Sequence, residues 1–206
     1  MQPFCQTEQR FIVDGGKRKA IDSATVRQER FTLKGNLTEP AYMYLMAGRG
    51  RTSTKLANIL LDNRTVYVKG DKPEYNNISV SGSDIDRYWR EWYEADQRVG
   101  YQRYRIKQVY ESLTAKKDTV NTNILGNLIQ EMQRGRIDLL KTYVKRRHDS
   151  AAGAVLPTLC TLGDDLMKAD YMEMYNTLSP TWQQSSFGKE ILAEAKKKKD
   201  SLSPSK

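Results

Sequence analysis

Val80-Ser81-Gly82-Ser83-Asp84-Ile85-Asp86-Arg87-Tyr88-Trp89-Arg90-Glu91-Trp92 is the stretch in which this chain of 206 residues changes its hydrophobic period. After it, Ile85, Tyr88, Trp89 and Trp92, then Val99, Ile106, Val109 and Leu113, recur every three or four positions, with Arg87, Arg90, Glu91, Glu94 and Gln97 on the other face. Before it, apolar side chains mostly alternate with polar ones. A period of two belongs to a strand and one of 3.6 to a helix, so the stretch reads as sheet passing into helix. Ser83 supplies an N-cap and Asp84 a favourable first-turn acid. Gly100 costs that helix about 1 kcal/mol relative to Ala and marks the place for a kink.

Working back from this point, Phe11 and Val13, then Ile21, Ala24 and Val26, then Phe31, Leu33 and Leu37, then Tyr42, Tyr44 and Met46 read as strands. Asp14-Gly15-Gly16 and Gln28-Glu29 read as tight turns and Gly48 to Ser53 as a loop. Asp62-Asn63-Arg64 reads as a turn between Ile59-Leu60-Leu61 and Val66-Tyr67-Val68. Six or seven strands are expected over residues 9–83, in an antiparallel sandwich or barrel.

Working forward, a helical region is expected over 84–200, giving an α+β protein. A second helix starts at Asp118 with Val120, Ile124, Leu128 and Met132 on one stripe. It continues or restarts after Gly135 through Ile137, Leu140 and Val144, and ends in Lys145-Arg146-Arg147-His148. Asp149-Ser150 caps a helix through Val155 and Leu159, interrupted by Pro157. Asp164 or Asp165 opens another with Leu166, Tyr171, Met174 and Tyr175. Ser179-Pro180 opens the last, carrying Trp182, Phe187, Ile191 and Leu192. The Lys/Ser-rich residues from Lys196 onward should fray, with 201–206 a disordered tail.

Composition bounds the function. Hydrophobic residues at 38% and charged residues at 29% describe a soluble, folded chain, and 34 Lys+Arg against 25 Asp+Glu give +9, basic without being extreme. No apolar run reaches the 18 residues that a transmembrane helix needs. Met1-Gln2-Pro3-Phe4-Cys5 lacks the basic and apolar regions of a secretory signal. The chain therefore reads as cytoplasmic if complete, or as one from which a leader has been removed. Cys5 and Cys160 form neither a C-x-x-C pair nor a Cys/His cluster, so no zinc site or redox dithiol is expected. A long-range disulfide between them stays open beside the reading of two separate thiols.

No catalytic set is visible. His148 is the only histidine and sits in Arg146-Arg147-His148-Asp149, where a cationic residue caps a helix C-terminus. Neither G-x-S-x-G, a P-loop nor G-x-G-x-x-G occurs, and Gly48-Arg49-Gly50-Arg51 reads as a hairpin loop. Asp84/Asp86, Glu91/Glu94 and Asp164/Asp165 read as solvated helix starts and polar faces. The expectation is a non-enzyme without metal or cofactor.

Basic residues interleave with aromatics in Tyr101-Gln102-Arg103-Tyr104-Arg105, and the Arg134 to Arg147 stretch carries six basic residues against one acid. Such a surface suits phosphates. Residues 84–117 nonetheless balance eight basic against six acidic side chains, so nucleic-acid binding is the alternative reading. The first is docking of a protein partner, with Tyr88, Trp92, Tyr101, Arg103 and Tyr104 as the candidate binding residues.

The order of motifs resembles a family. Ile21-Asp22-Ser23-Ala24-Thr25-Val26, Arg30-Phe31-Thr32-Leu33-Lys34-Gly35 and Thr38-Glu39-Pro40 resemble the DSA-x-V…F-x-F-x-G-x-x-x-E-P pattern of the DUF4369 domain. Leu60-Leu61-Asp62-Asn63 with Val66-Tyr67-Val68-Lys69-Gly70 is similar to its E-N-G-x-I-x-I-x-G hairpin, and Val80-Ser81-Gly82-Ser83 to its exit into helices. Tyr143-Val144-Lys145 through Asp149-Ser150, Met174 to Pro180 and Ser186-Phe187-Gly188-Lys189 resemble the helical spacer before the thioredoxin domain of Bacteroidetes AhpC/TSA-type thiol-disulfide oxidoreductases. The resemblance implies a periplasmic or cell-envelope protein that positions a redox domain or docks a client.

In this resemblance Asp22-Ser23 and Gly35 are turn and strand-end positions, and Glu39-Pro40 gives an extended entry to the next strand. Gln28-Glu29 and Arg64 replace turn glycines, which implies turns of another type or length. An opening strand is missing before Gln9, leaving a sheet edge open for a partner or a homodimer. The chain stops where the family's C-x-x-C domain would begin, so oxidoreductase activity does not carry over.

Overall fold

A computed structural model describes residues 9–14, 19–48, 53–72, 74 and 77–198. The chain divides into two compact units, Met1–Arg87 and Tyr88–Lys206. An antiparallel sheet region precedes a helical region, an α+β architecture.

In the first unit six strands are described: β1 (Gln9–Asp14), β2 (Ala20–Thr25), β3 (Ala41–Ala47), β4 (Thr54–Leu61), β5 (Tyr67–Lys69) and β6 (Ser79–Ser81). The first four make one antiparallel sheet in the order β2-β1-β3-β4, and β5 and β6 pair separately. Met43, Leu45 and Ala47 alternate onto one buried face of β3, opposite Ile59 and Ala57 of β4. A register shift between Leu45 and Met46 lets both Leu56 and Ala57 turn inward. Phe31, Leu33, Leu61, Val66, Val68, Ile78 and Val80 pack on this cluster from outside, all only half-buried.

Several expectations need correction here. Phe31 to Leu37 alternates as a strand does, yet it joins no sheet. Asp22 and Ser23 lie inside β2, where the Asp22 carboxylate accepts from the Lys34 backbone N–H at 2.7 Å. Gln28 and Glu29 form the expected tight turn, but not one of another type or length: without glycine both still hold positive φ (49° and 63°). Reciprocal backbone bonds between Arg27 and Arg30 close it as a two-residue hairpin of the primed type. The turn through Asp62-Asn63-Arg64 is not a hairpin, because β5 pairs with β6 and not with β4. Pro40 does precede β3. The glycine turn after Asp14 and most of the Gly48–Ser53 loop lie outside the described residues.

Helix α1 (Asp84–Ala115) begins where the period changes. The buried Ser83 Oγ accepts from Asp86 N–H, and the buried Asp86 carboxylate accepts from Leu60 N–H at 2.8 Å. Gly82 permits the approach with φ of 99°, where a Cβ would stand 2.4 Å from the Thr65 carbonyl oxygen. Asp84 bonds Arg87 and Arg64, and these guanidinium groups hold its carboxyl below the ordinary range.

The second unit continues with α2 (Thr119–Arg146), α3 (Ala151–Leu159), α4 (Lys168–Thr177), α5 (Pro180–Gln184) and α6 (Ser186–Lys197). Asp118 caps α2 through Asn121 N–H. Neither Gly100 nor Gly135 interrupts its helix, and Pro157 lies inside an α3 whose residues 151–157 are buried. Asp164 and Asp165 do not open α4; it starts after Met167, whose N–H donates to the Asp170 carboxylate. The expected last helix is two, parted at Ser185, and α6 runs on to Lys197. The expected disordered tail lies outside the described residues. Trp92, Leu140, Val144, Leu156, Leu162, Leu166, Tyr171, Met174 and Ile191 are among the most deeply buried side chains of this unit.

Candidate functional site

The sequence-predicted surface on α1 comes apart in three dimensions. Trp92 is wholly buried, its indole N–H without a partner among the described residues, so it presents nothing to a ligand. Tyr88 is half-buried under the Arg147 guanidinium, 3.4 Å above its ring centroid. Arg103 is half-buried, its Nε without a partner among the described residues. Tyr101 and Tyr104 are exposed, at 65% and 57%, and Gln108 donates to the Tyr104 hydroxyl. On α2, Val120, Ile124 and Leu128 form an exposed stripe at four-residue spacing.

Half of the basic stretch from Arg134 to Arg147 is committed internally, through Arg136, Lys141 and Arg147. Arg136 makes a two-pronged ion pair with the wholly buried Asp96, Nε to Oδ1 at 2.7 Å and Nη2 to Oδ2 at 2.8 Å, and Thr161 Oγ1 donates to the same carboxylate. The Asp96 bond, stronger than the opposing burial, pushes the guanidinium pKa up. Gly100 lies beside this pair: a Cβ there would stand 3.5 Å from the Arg136 guanidinium carbon. Lys141 reaches Asp170 and Glu173, each at 2.7 Å. His148 Nδ1 contacts the Lys145 carbonyl oxygen at 3.1 Å, at the end of α2 where the sequence placed it as a cap. Cys160 follows α3 as a free thiol, and burial pushes its pKa up to about 11; Cys5 lies outside the described residues. Among the described residues no cluster of three His, Cys, Asp or Glu could hold a metal.

A more complete site lies in the first unit and was not singled out in the sequence. A groove of about 820 Å³ opens over the buried face of the four-stranded sheet. Ile12, Met43, Leu45 and Ile59 make its floor, residues 29–35 one wall and 65–69 another. Its volume is that of a ligand site. Phe31 and Leu33 turn inward while Thr32 and Lys34 face out, the alternation of a strand without a sheet. Two side chains hold this segment in place: Asp22 takes Lys34 N–H, and the Asn63 amide both accepts from Leu37 N–H and donates to its carbonyl, each at 2.8 Å. The signal that could have found it was the misplaced strand itself, an alternating segment without a neighbour to pair with.

Residues 7–87 match DUF4369, a domain of unknown function. The DUF4369 match covers the described strands and the first turn of α1, and therefore the whole groove. No curated protein and no solved structure matches the chain. Among the described residues no helix is long and apolar enough to cross a membrane.

Proposed function

We propose that this chain is a non-catalytic binding and positioning module of a cell-envelope thiol-disulfide oxidoreductase system, docking a protein partner or client through its DUF4369 region. One observation carries the docking half of this reading: a groove with an apolar floor whose walls are strand-like segments lacking a strand between them. The envelope and oxidoreductase half is supported by the likeness of motif order to the helical spacer of those enzymes. Nucleic-acid binding is the weaker reading, since Arg136, Lys141 and Arg147 spend their charge or their face inside the helical unit.

The test is a photo-cross-linking amino acid placed at Tyr67, on the groove rim, and separately at the exposed Glu111 of α1, in cells of the source organism. A discrete protein adduct from position 67 and none from 111 is expected. Equal labelling at both positions, or none at 67, overturns the reading.

A further inference from the structure

We infer that the groove takes an extended acidic-apolar peptide as an added strand, lying between residues 31–35 and β5. The inference rests on the docking reading and specifies what docks. Strand β5 pairs only with β6, so the backbone groups of its other edge have no sheet partner among the described residues. In an antiparallel pair every second residue turns its N–H and C=O away from its neighbour, which leaves such an edge ready to pair again. On the opposite wall, residues 31–36 make no backbone–backbone hydrogen bond among the described residues, and Lys34 N–H alone is held, by Asp22.

Backbone groups repeating along two walls are the recognition pattern of a peptide main chain, while a purely apolar ligand would leave them unpaired. The inward Phe31, Leu33 and Val68 offer apolar contacts at strand spacing, so the guest should carry apolar residues at alternate positions. With five residues in one wall and three in β5, a guest strand of about four or five residues fits.

Charge selects the residues in between. Arg30, Lys34, Arg64 and Lys69 stand on the groove against Glu29 and Asp62. Asp62 is engaged by Arg64, which also bonds Asp84. Arg30, Lys34 and Lys69 make no ion pair among the described residues and outnumber Glu29. The outward positions of the guest are therefore acidic.

The experiment uses the purified full chain and fluorescein-labelled heptapeptides: alternating Glu and Val, the same with Lys for Glu, and the acidic peptide N-methylated at alternate amides. Saturable binding of the acidic peptide is expected, with at least tenfold loss on N-methylation. The paired exposed-site variant Lys34→Glu with Lys69→Glu should reverse the preference toward the Lys peptide while keeping the wild-type circular dichroism spectrum. Acidic-peptide binding that ignores N-methylation is surface electrostatics and overturns the strand inference. So does absence of binding; if the position-67 adduct persists in either case, the docking reading stands and only its specification fails.

Discussion

In the helical unit Leu140, Val144, Ala154, Val155, Leu162, Leu166 and Ile191 have no exposed surface, whereas in the β unit Phe31, Leu33, Val66 and Val68 stay half open around a cavity. Each unit also buries a carboxylate. In the helical unit the Asp96 charge is balanced by Arg136 and its carboxylate accepts a further bond from Thr161 Oγ1; in the β unit Asp86 accepts a backbone N–H of β4. The contrast separates two kinds of work. A core closed around its own ion pair keeps shape, and a core left open on one side has apolar surface and backbone edges to offer.

The closed helical core is most vulnerable at Asp96. Asp96→Ala strands a buried guanidinium and should destabilise the helical unit by about 3–5 kcal/mol in urea denaturation, whereas Asp96→Leu combined with Arg136→Met should hold or gain stability. A loss under about 1 kcal/mol for Asp96→Ala would show that water reaches the pair.

High pH probes the same closed core. Cys160 ionises near 11 when folded, against roughly 8.5–9 unfolded. The folded value is the higher, so its contribution is complete below about pH 9, shrinks as pH rises toward 11 and is lost beyond. Against wild type, Cys160→Ala should flatten the fall in stability over that window by about 2–3 kcal/mol. Parallel curves would mean that folding does not desolvate the Cys160 thiol. Tyr171, raised to about 12 by burial, acts in the same direction at still higher pH.

In the β unit Gly82→Ala meets both a positive φ and the Thr65 carbonyl. It should cost about 1–3 kcal/mol, read as a lowered Tm. Glu29→Gly should instead stabilise the unit by about 1 kcal/mol, because its left-handed φ strains any side chain. An unchanged Tm would mean that the turn is not held as described. The smallest effects belong to α2, where Val120→Ser, Ile124→Ser and Leu128→Ser should each shift stability by under about 0.5 kcal/mol. A larger loss in any of them would show that this stripe is covered in solution.

Where periodicity was long the sequence was legible: α1 and α2 follow from their stripes, and Ser83 and Asp118 from their caps. Short segments were not. Phe31 to Leu37 carries the alternation of a strand, but pairing depends on a neighbour far away in sequence, and Asp22 and Asn63 hold it where a ladder would. Pro157 reads as a break in sequence, since a ring without an N–H weakens a helix, yet the surrounding burial of α3 outweighs that loss. Trp92 looks like a binding residue in sequence because aromatic residues on a helix look alike whichever way they face; its place on one stripe with Trp89 puts it in the core. The Asp96–Arg136 pair joins residues 40 positions apart, beyond any local pattern.

The Gln28-Glu29 turn has a consequence for the order in which the β unit assembles. Two side-chain-bearing residues with left-handed φ make a slow nucleus, since their strain must be offset by contacts formed elsewhere. The four-stranded sheet should therefore form first and the wall from Phe31 to Leu37 close over it afterwards. By the same logic that wall is the part most easily lost, and amide hydrogen exchange in the native protein should be fastest there and slowest in β3.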